Sequence, residues 1–318
     1  MRVFLAGASG AIGRPLVPKL IAAGHEVTGM TRSEARAEGI RTTGAEAAVV
    51  DVFDADPLLA AMTEAAPDVV VHELTALPER MNLRRNDLYE GTNRLRTEGT
   101  RNLIRGALAA GARRFVSQSI AFAYRPDGGP VKSEDDPLLD DAPAPFSSGV
   151  EALQEMEELV LGTEGLDGLV LRYGFFYGPG THYAADGTVT QDVRRRRMPV
   201  VGDGTGVFSF IHVDDAADAT VAAVERGAPG VYNIADDEPA KLSEWVPAMA
   251  QAAGAKPPRR VPVWLARLVA GRQAADFALE LRGASNEKAK RELGWRPAHP
   301  SWRSGFAESM GGGEGPQH

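Results

Sequence analysis

With 318 residues, 43% of them hydrophobic and 25% charged, the chain can bury one large core or a main core with a smaller neighbour, and disorder is not its default. A net charge of −8 opposes any extended contact with a phosphate backbone, which draws its affinity from clustered Lys and Arg, so no nucleic-acid partner is expected. The absence of cysteine excludes disulfides and thiolate-bound metal, and no uninterrupted apolar run reaches the ~20 residues that cross a bilayer.

The chain opens on "VFLA", a buried-type strand that runs directly into "AGASGAIG". This leaves no room for a leader segment, so a cytoplasmic location is expected. Gly7, Gly10 and Gly13 follow the first strand and begin a helix near residue 12. Glycines there permit a tight turn and close approach of a ligand, and the free N–H groups of the helix start attract a pyrophosphate. Ser9, Gly10, Ala11, Ile12 and Gly13 together with Gly7 are therefore the expected phosphate cradle. The second strand, residues 27–30, ends in "TRSEAR", where an NAD site usually carries an acid for the ribose hydroxyl. Arg32 stands there instead, and a guanidinium fork matches a 2′-phosphate, so NADP is expected in preference to NAD. Asp51 and Val52, closing the third strand at 47–50, are expected at the adenine, with Asp51 either accepting from its amino group or serving as a strand-end turn residue.

Further short β-branched runs at 69–71, 115–117 and 169–171 alternate with amphipathic segments such as "TRNLIRGALAAGARR". Strands apolar on both faces, separated by helices, predict an α/β fold with a doubly wound parallel sheet of Rossmann type. The expected division is a nucleotide-binding part at 1–173, rejoined by 207–235, and a smaller discontinuous substrate lobe at 174–206 and 236–310. Helices are predicted near 242–253 and 286–293, and the Gly-rich 311–318 reads as a disordered tail.

These segments carry the chemistry-bearing candidates. Glu73 interrupts "VVVHELTAL" after the fourth strand, where a desolvated carboxyl can serve as acid or base; Leu74 and Thr75 follow it beside the expected nicotinamide ribose. "SQSIAFAY" supplies Ser117, Ser119 and Tyr124 at the end of the fifth strand, the edge at which open α/β sheets bind ligands. Tyr173 and Phe175, which close the strand at 169–171, are expected with Ser117 at the cofactor, and Tyr177, His182 and Tyr183 in "YGPGTHY" are expected to meet substrate or to form a plain turn. His212 and Asp214 read as the hydrogen-bonded start of a helix with Asp214 or Asp215 as its cap, and Arg194 to Arg197 as a solvated helix face. No metal-ligand spacing is present.

The glycine spacing, "GTRNLIRGALAAGARRFVSQS", "VLRYGFFYGPGT", "FSFIHVDDAADA" and "SNEKAKRELGWRP" resemble the extended short-chain dehydrogenase/reductase superfamily, in its nucleotide-sugar epimerase and dehydratase group. The resemblance spans nearly the whole chain. It implies a cofactor across the carboxyl edge of the sheet, a substrate-bonding Ser matched by Ser119, and a Tyr-x-x-x-Lys pair at the next helix. By spacing, that pair falls on Phe146 and Val150, which exchange no protons. The helix pattern survives, with Ser148 and Glu151 reading as a capping box and apolar residues at 150, 153, 156 and 160. Arg96 replaces an Asn that is common just before the "GT" of the preceding helix. The expected function is an atypical NADP(H)-dependent oxidoreductase for a small or medium organic carbonyl or alcohol, with Ser119, Tyr124, Glu73 or water supplying protons. A non-catalytic NADP(H)-binding regulator, and an epimerase or dehydratase without net redox, are the alternatives. A homodimer through helices near 93–111 and 148–162 is a further expectation of the resemblance.

Overall fold

The computed structural model describes residues 1–78, 80, 85, 87–140 and 146–311. From its start the chain alternates strand and helix: β1 (Arg2–Ala6), α1 (Gly13–Ala22), β2 (Glu26–Thr31), α2 (Glu34–Arg41), β3 (Glu46–Val49), α3 (Ala55–Ala65) and β4 (Val69–His72). Next come α4 (Glu90–Arg94), a π-helical turn at Leu95–Gly99, α5 (Thr100–Ala109), β5 (Arg114–Ile120), the short β6 (Val131–Lys132), α6 (Phe146–Gly162) and β7 (Asp167–Tyr173). The second half runs β8 (Phe175–Tyr177), α7 (Thr188–Arg194), β9 (Val200–Val201), β10 (Val207–Phe208), β11 (Phe210–His212), α8 (Val213–Glu225), β12 (Gly230–Ile234) and β13 (Ala240–Lys241). It ends with α9 (Leu242–Ala252), β14 (Arg260–Val261), α10 (Val263–Ala270), α11 (Arg272–Glu280), β15 (Gly283–Ala284), α12 (Glu287–Glu292) and α13 (Trp302–Gly311).

Seven strands form one parallel sheet in the order β12-β7-β5-β4-β1-β2-β3. Its pleat explains the apolar runs read in the sequence. Val3, Leu5, Val69, Val71, Leu169 and Leu171 point to one face, against α1 and α8. Phe4, Val70, Phe115 and Val170 point to the other, against α3, α5 and α6. A sheet covered on both sides has no polar face to alternate with, so its strands read as continuous hydrophobic runs. Because all seven strands run the same way, the residues following β1, β2, β3, β4, β5 and β7 gather along one carboxyl edge.

A second hydrophobic cluster, built around Phe208, Phe210, Trp245, Met249, Trp302 and Phe306, lies in the chain beyond β7. Four two-stranded pairs knit this region: β8 with β11, β9 with β14, β10 with β13, and β6 with β15. The last pair ties the segment after β5 to residues 283–284 near the carboxyl end of the chain. Asp215, near the start of α8, accepts from the amides of Ala298 (2.8 Å) and His299 (2.9 Å). α13 was not foreseen from the sequence, because its Gly-containing "WRSGFAESMG" carries only Trp302 and Phe306 as a buried stripe.

Two helix starts differ from expectation. α6 begins at Phe146, so Ser148 lies inside it and is no N-cap; its hydroxyl accepts from Asn93 Nδ2 at 3.3 Å. At α8 the cap is His212, whose Nδ1 accepts from the Asp214 amide at 3.2 Å, and neither Asp214 nor Asp215 caps the helix. The tail residues 312–318 lie outside the described residues.

Candidate functional site

The β1–β2–β3 side of the carboxyl edge keeps its ligand-binding groups free. Gly7 has φ +104, and a Cβ there would lie 2.8 Å from the Glu73 carbonyl carbon, so the turn tolerates glycine alone. A Cβ on Gly13 would come within 2.2 Å of the Gly7 oxygen, which makes Gly13 a packing glycine that draws α1 up to the loop. Between them Gly10 and Ala11 are exposed and Ser9 is half-buried, while Ile12 turns into the core. No side chain caps α1 and its first turn holds no acid, so the helix start keeps free N–H donors and positive potential for an anion. This open cradle fits a dinucleotide pyrophosphate.

Past β2, Arg32 is largely exposed and lies 3.7 Å from Asp51 Oδ2. Asp51 is held in turn by the Phe53 amide, which donates to its Oδ1 at 3.0 Å. The structure thus brings together the two residues expected around the adenine ribose. Val52 is buried with its carbonyl bonded to Asn102 Nδ2 (2.9 Å), and the Leu74 carbonyl accepts from Gln118 Nε2 (2.9 Å), fixing the loops that flank the edge. Thr75 is exposed.

On the β4–β5–β7 side the expected catalytic groups are turned inward. Ser119 Oγ donates to Glu157 Oε1 at 2.6 Å, and Arg172 grips the same carboxylate through Nε (2.9 Å) and Nη2 (2.5 Å). Arg172 Nη1 donates to the Tyr124 hydroxyl (3.0 Å), which donates to Asn233 Oδ1 (2.7 Å). Burial pushes the Tyr124 phenol up to about 12, the wrong direction for an acid of neutral water. Ser119 and Tyr124 therefore belong to one buried hydrogen-bonded chain, which ends on Asn233 with the Nδ2 of that side chain unpartnered. Glu73 is not part of it. It lies buried beneath the glycine loop, accepts from the Tyr173 hydroxyl (3.0 Å), and is held by desolvation at a pKa of about 8, so it is mostly neutral at pH 7.

Several other expectations need correction. Ser117 is fully buried against Met156, and the Tyr173 hydroxyl lies between Glu73 and Thr220 Oγ1 (2.6 Å), so neither offers its hydroxyl to a cofactor. Tyr177 is buried edge-on between His212 and Phe306, and Tyr183 packs against Phe210 and Trp245; both are core aromatics of the second cluster. His182 Nδ1 lies 3.0 Å from Thr188 Oγ1. A hollow of about 400 Å³ near Pro179, Asp186, His212 and Glu308 is walled by neighbours of Tyr177 and Tyr183 and touches neither β5 nor α6.

Sequence reasoning missed what does line the start of α6. Phe146 lies against Tyr89 (centroids 6.0 Å) and Phe277 of α11 (5.1 Å), whereas Phe175 stacks on Phe122 at 4.2 Å and packs with Phe208 and Phe210 in the second cluster. The available signal was the aromatic at the end of β5 and the one at the dyad position. α6, "FSSGVEALQEMEELVLG", holds no Tyr and no Lys at any position, so the absence of the pair does not depend on the register chosen.

Comparison with known proteins agrees with this geometry. A family model described as the NAD dependent epimerase/dehydratase family matches residues 3–235. A 3-diazoavenalumate denitrifying reductase from Streptomyces sp is 49% identical over 311 residues, covering 96% of this chain and 99% of that protein. A 4-hydroxy-2-methyl-3-oxo-4-farnesyl-3,4-dihydroquinoline-1-oxide ketoreductase from Stigmatella aurantiaca is 27% identical over 346 residues, covering 99% and 98%. Among solved structures, a UDP-glucose 4-epimerase from Thermotoga maritima superposes with a TM-score of 0.76 at 22% identity, covering 98% of each chain.

Proposed function

Because the chain belongs to the NAD-dependent epimerase/dehydratase family, we propose that it is an NADPH-dependent reductase that replaces the nitrogen of a diazo-bearing aryl carboxylate with hydrogen. The supporting relative is the 49% identical denitrifying reductase, whose name specifies a diazo acid. The observation that carries the reading is the lack of any Tyr or Lys in α6.

When bound, the reduced nicotinamide supplies one hydride, and R–N≡N⁺ plus hydride gives R–H and dinitrogen with no proton taken up or released. A carbonyl acceptor, the class expected from the sequence, differs on this point, because its alkoxide must be protonated as hydride arrives. Ser119 and Tyr124 are committed to Glu157, Arg172 and Asn233, Glu73 is enclosed beneath the glycine loop against Tyr173, and α6 supplies no Tyr or Lys in their place. The chain's own contribution is to bind and orient. The backbone from Ser9 to Gly13 would hold the pyrophosphate at the start of α1, and Arg32, released from Asp51, would meet the 2′-phosphate. Phe146, Tyr89 and Phe277 give an aromatic, water-poor group at the start of α6 suited to a flat ring and to a cationic diazo group.

The test mixes the protein with 3-carboxybenzenediazonium and reduced cofactor, following nicotinamide absorbance and gas release together. Equimolar dinitrogen is expected, with deuterium from C4-deuterated NADPH, and none from deuterated water, at the carbon that bore nitrogen. Solvent hydrogen at that carbon, or turnover of carbonyl acids alone, would overturn the assignment.

A further inference from the structure

The guanidinium of Arg96 is the feature that the family resemblance does not explain. Arg96 sits in the π-helical turn Leu95–Gly99, a local widening that re-aims side chains and is frequent at functional sites. Its Nη1 donates to the Gly149 carbonyl on the first turns of α6 (3.1 Å), and among the described residues it forms no ion pair with a carboxylate. The groups acting on it through space are Tyr89 and Glu157, and Glu157 is already held by Arg172 and Ser119. The side chain is half-buried, and desolvation lowers its pKa to about 10. A guanidinium carries five N–H donors, so Arg96 has donors beyond the one given to Gly149.

The neighbours define what would match them. A Cβ on Gly149 would lie 3.5 Å from the ring of Tyr89, so that ring packs directly on the α6 backbone, and Phe146 touches both Tyr89 and Phe277. A fixed positive fork thus stands beside an aromatic wall at the turn of α6 where the superfamily's Tyr and Lys would act. Resting on the reductase reading above, we propose that Arg96 is the anchor for the carboxylate of the substrate, holding an aryl acid flat against Phe146 and Tyr89. The planar fork accepts both carboxylate oxygens, which fixes orientation as well as position.

Calorimetric titration of the NADP⁺-loaded protein with cinnamate and with cinnamamide tests this without any turnover. The wild type should bind the acid roughly 30- to 100-fold more tightly than the amide, the scale of a desolvated charge-assisted pair. Arg96→Gln should reduce that preference to less than about threefold while leaving amide binding and the NADPH dissociation constant unchanged, and Arg96→Lys should fall between. Should the glutamine variant not fold, the lysine variant alone carries the test, with an expected loss of about tenfold in acid binding and none in amide binding. Unchanged acid preference in either variant, or weaker NADPH binding with the preference intact, overturns the proposal; the latter would assign the guanidinium to the cofactor. Because the readout is binding, failure to release dinitrogen with the preference intact would remove the diazo assignment and leave the anchor standing.

Discussion

The two halves of the carboxyl edge put polar side chains to opposite uses. Over β1, β2 and β3 the polar groups are open to solvent: the exposed Gly10 and Ala11, the uncapped start of α1, and Arg32 in a loose contact with Asp51. Over β5 and β7 the conspicuous polar residues are consumed. Ser119, Glu157, Arg172, Tyr124 and Asn233 form one buried chain of hydrogen bonds, and Arg96, on a neighbouring helix, forms no ion pair among the described residues. A polar residue at the mouth of a sheet is thus a ligand-binding group only if the interior has not already claimed it.

The sharpest way to break the comparison is at Glu157. Replacing it with Gln leaves the Arg172 guanidinium without its counter-charge, and we expect a loss of about 3–5 kcal/mol in denaturant unfolding, the scale for breaking a buried pair. A variant as stable as the wild type would mean that this half is not a structural network at all.

The next effect concerns Glu73 and pH. Its folded-state pKa, about 8, lies above the unfolded value of 4.5, so the folded chain holds the extra proton between these values and stability falls as pH rises from about 4.5 to about 8. Glu73→Gln should abolish that slope, leaving pH 5 stability nearly unchanged and gaining roughly 2–3 kcal/mol at pH 8. Parallel stability curves for the two proteins would show that the carboxyl is solvated. His72, buried and lowered to about 4, has the opposite sign: its neutral form costs stability only as pH falls from 6.5 towards 4.

The smallest effect sharpens the open half. Arg32→Ala should weaken NADPH binding by about 10- to 100-fold and leave NADH binding unchanged, as read by fluorescence titration. Equal losses for both cofactors would make Arg32 a loop-stabilising residue.

The difference between the halves also explains what was legible in the sequence. The glycine loop and the strand-helix alternation were readable because each depends on backbone geometry that residue type dictates locally: Gly7 must adopt a positive φ, and strands covered on both faces must be apolar. The absence of the Tyr-Lys pair was readable for the same reason, as α6 lacks both residues. Ser119 and Tyr177 were misjudged because the pleat decides which way a strand residue points, and Tyr124 and Tyr183 because their partners, such as Asn233 and Trp245, lie far away in the sequence. Arg96 was noticed only as a departure from a family pattern. Its missing counter-charge is a property of three-dimensional packing that no spacing rule records.

The clasp between Asp215 and the amides of Ala298 and His299 joins residues 83 and 84 positions apart. During ribosomal synthesis the glycine loop and its strands emerge first, yet the beginning of α8 cannot be sealed until residue 299 has left the exit tunnel. A nascent chain stalled before that point would display a nucleotide cradle on a platform whose α8 start is still unclasped.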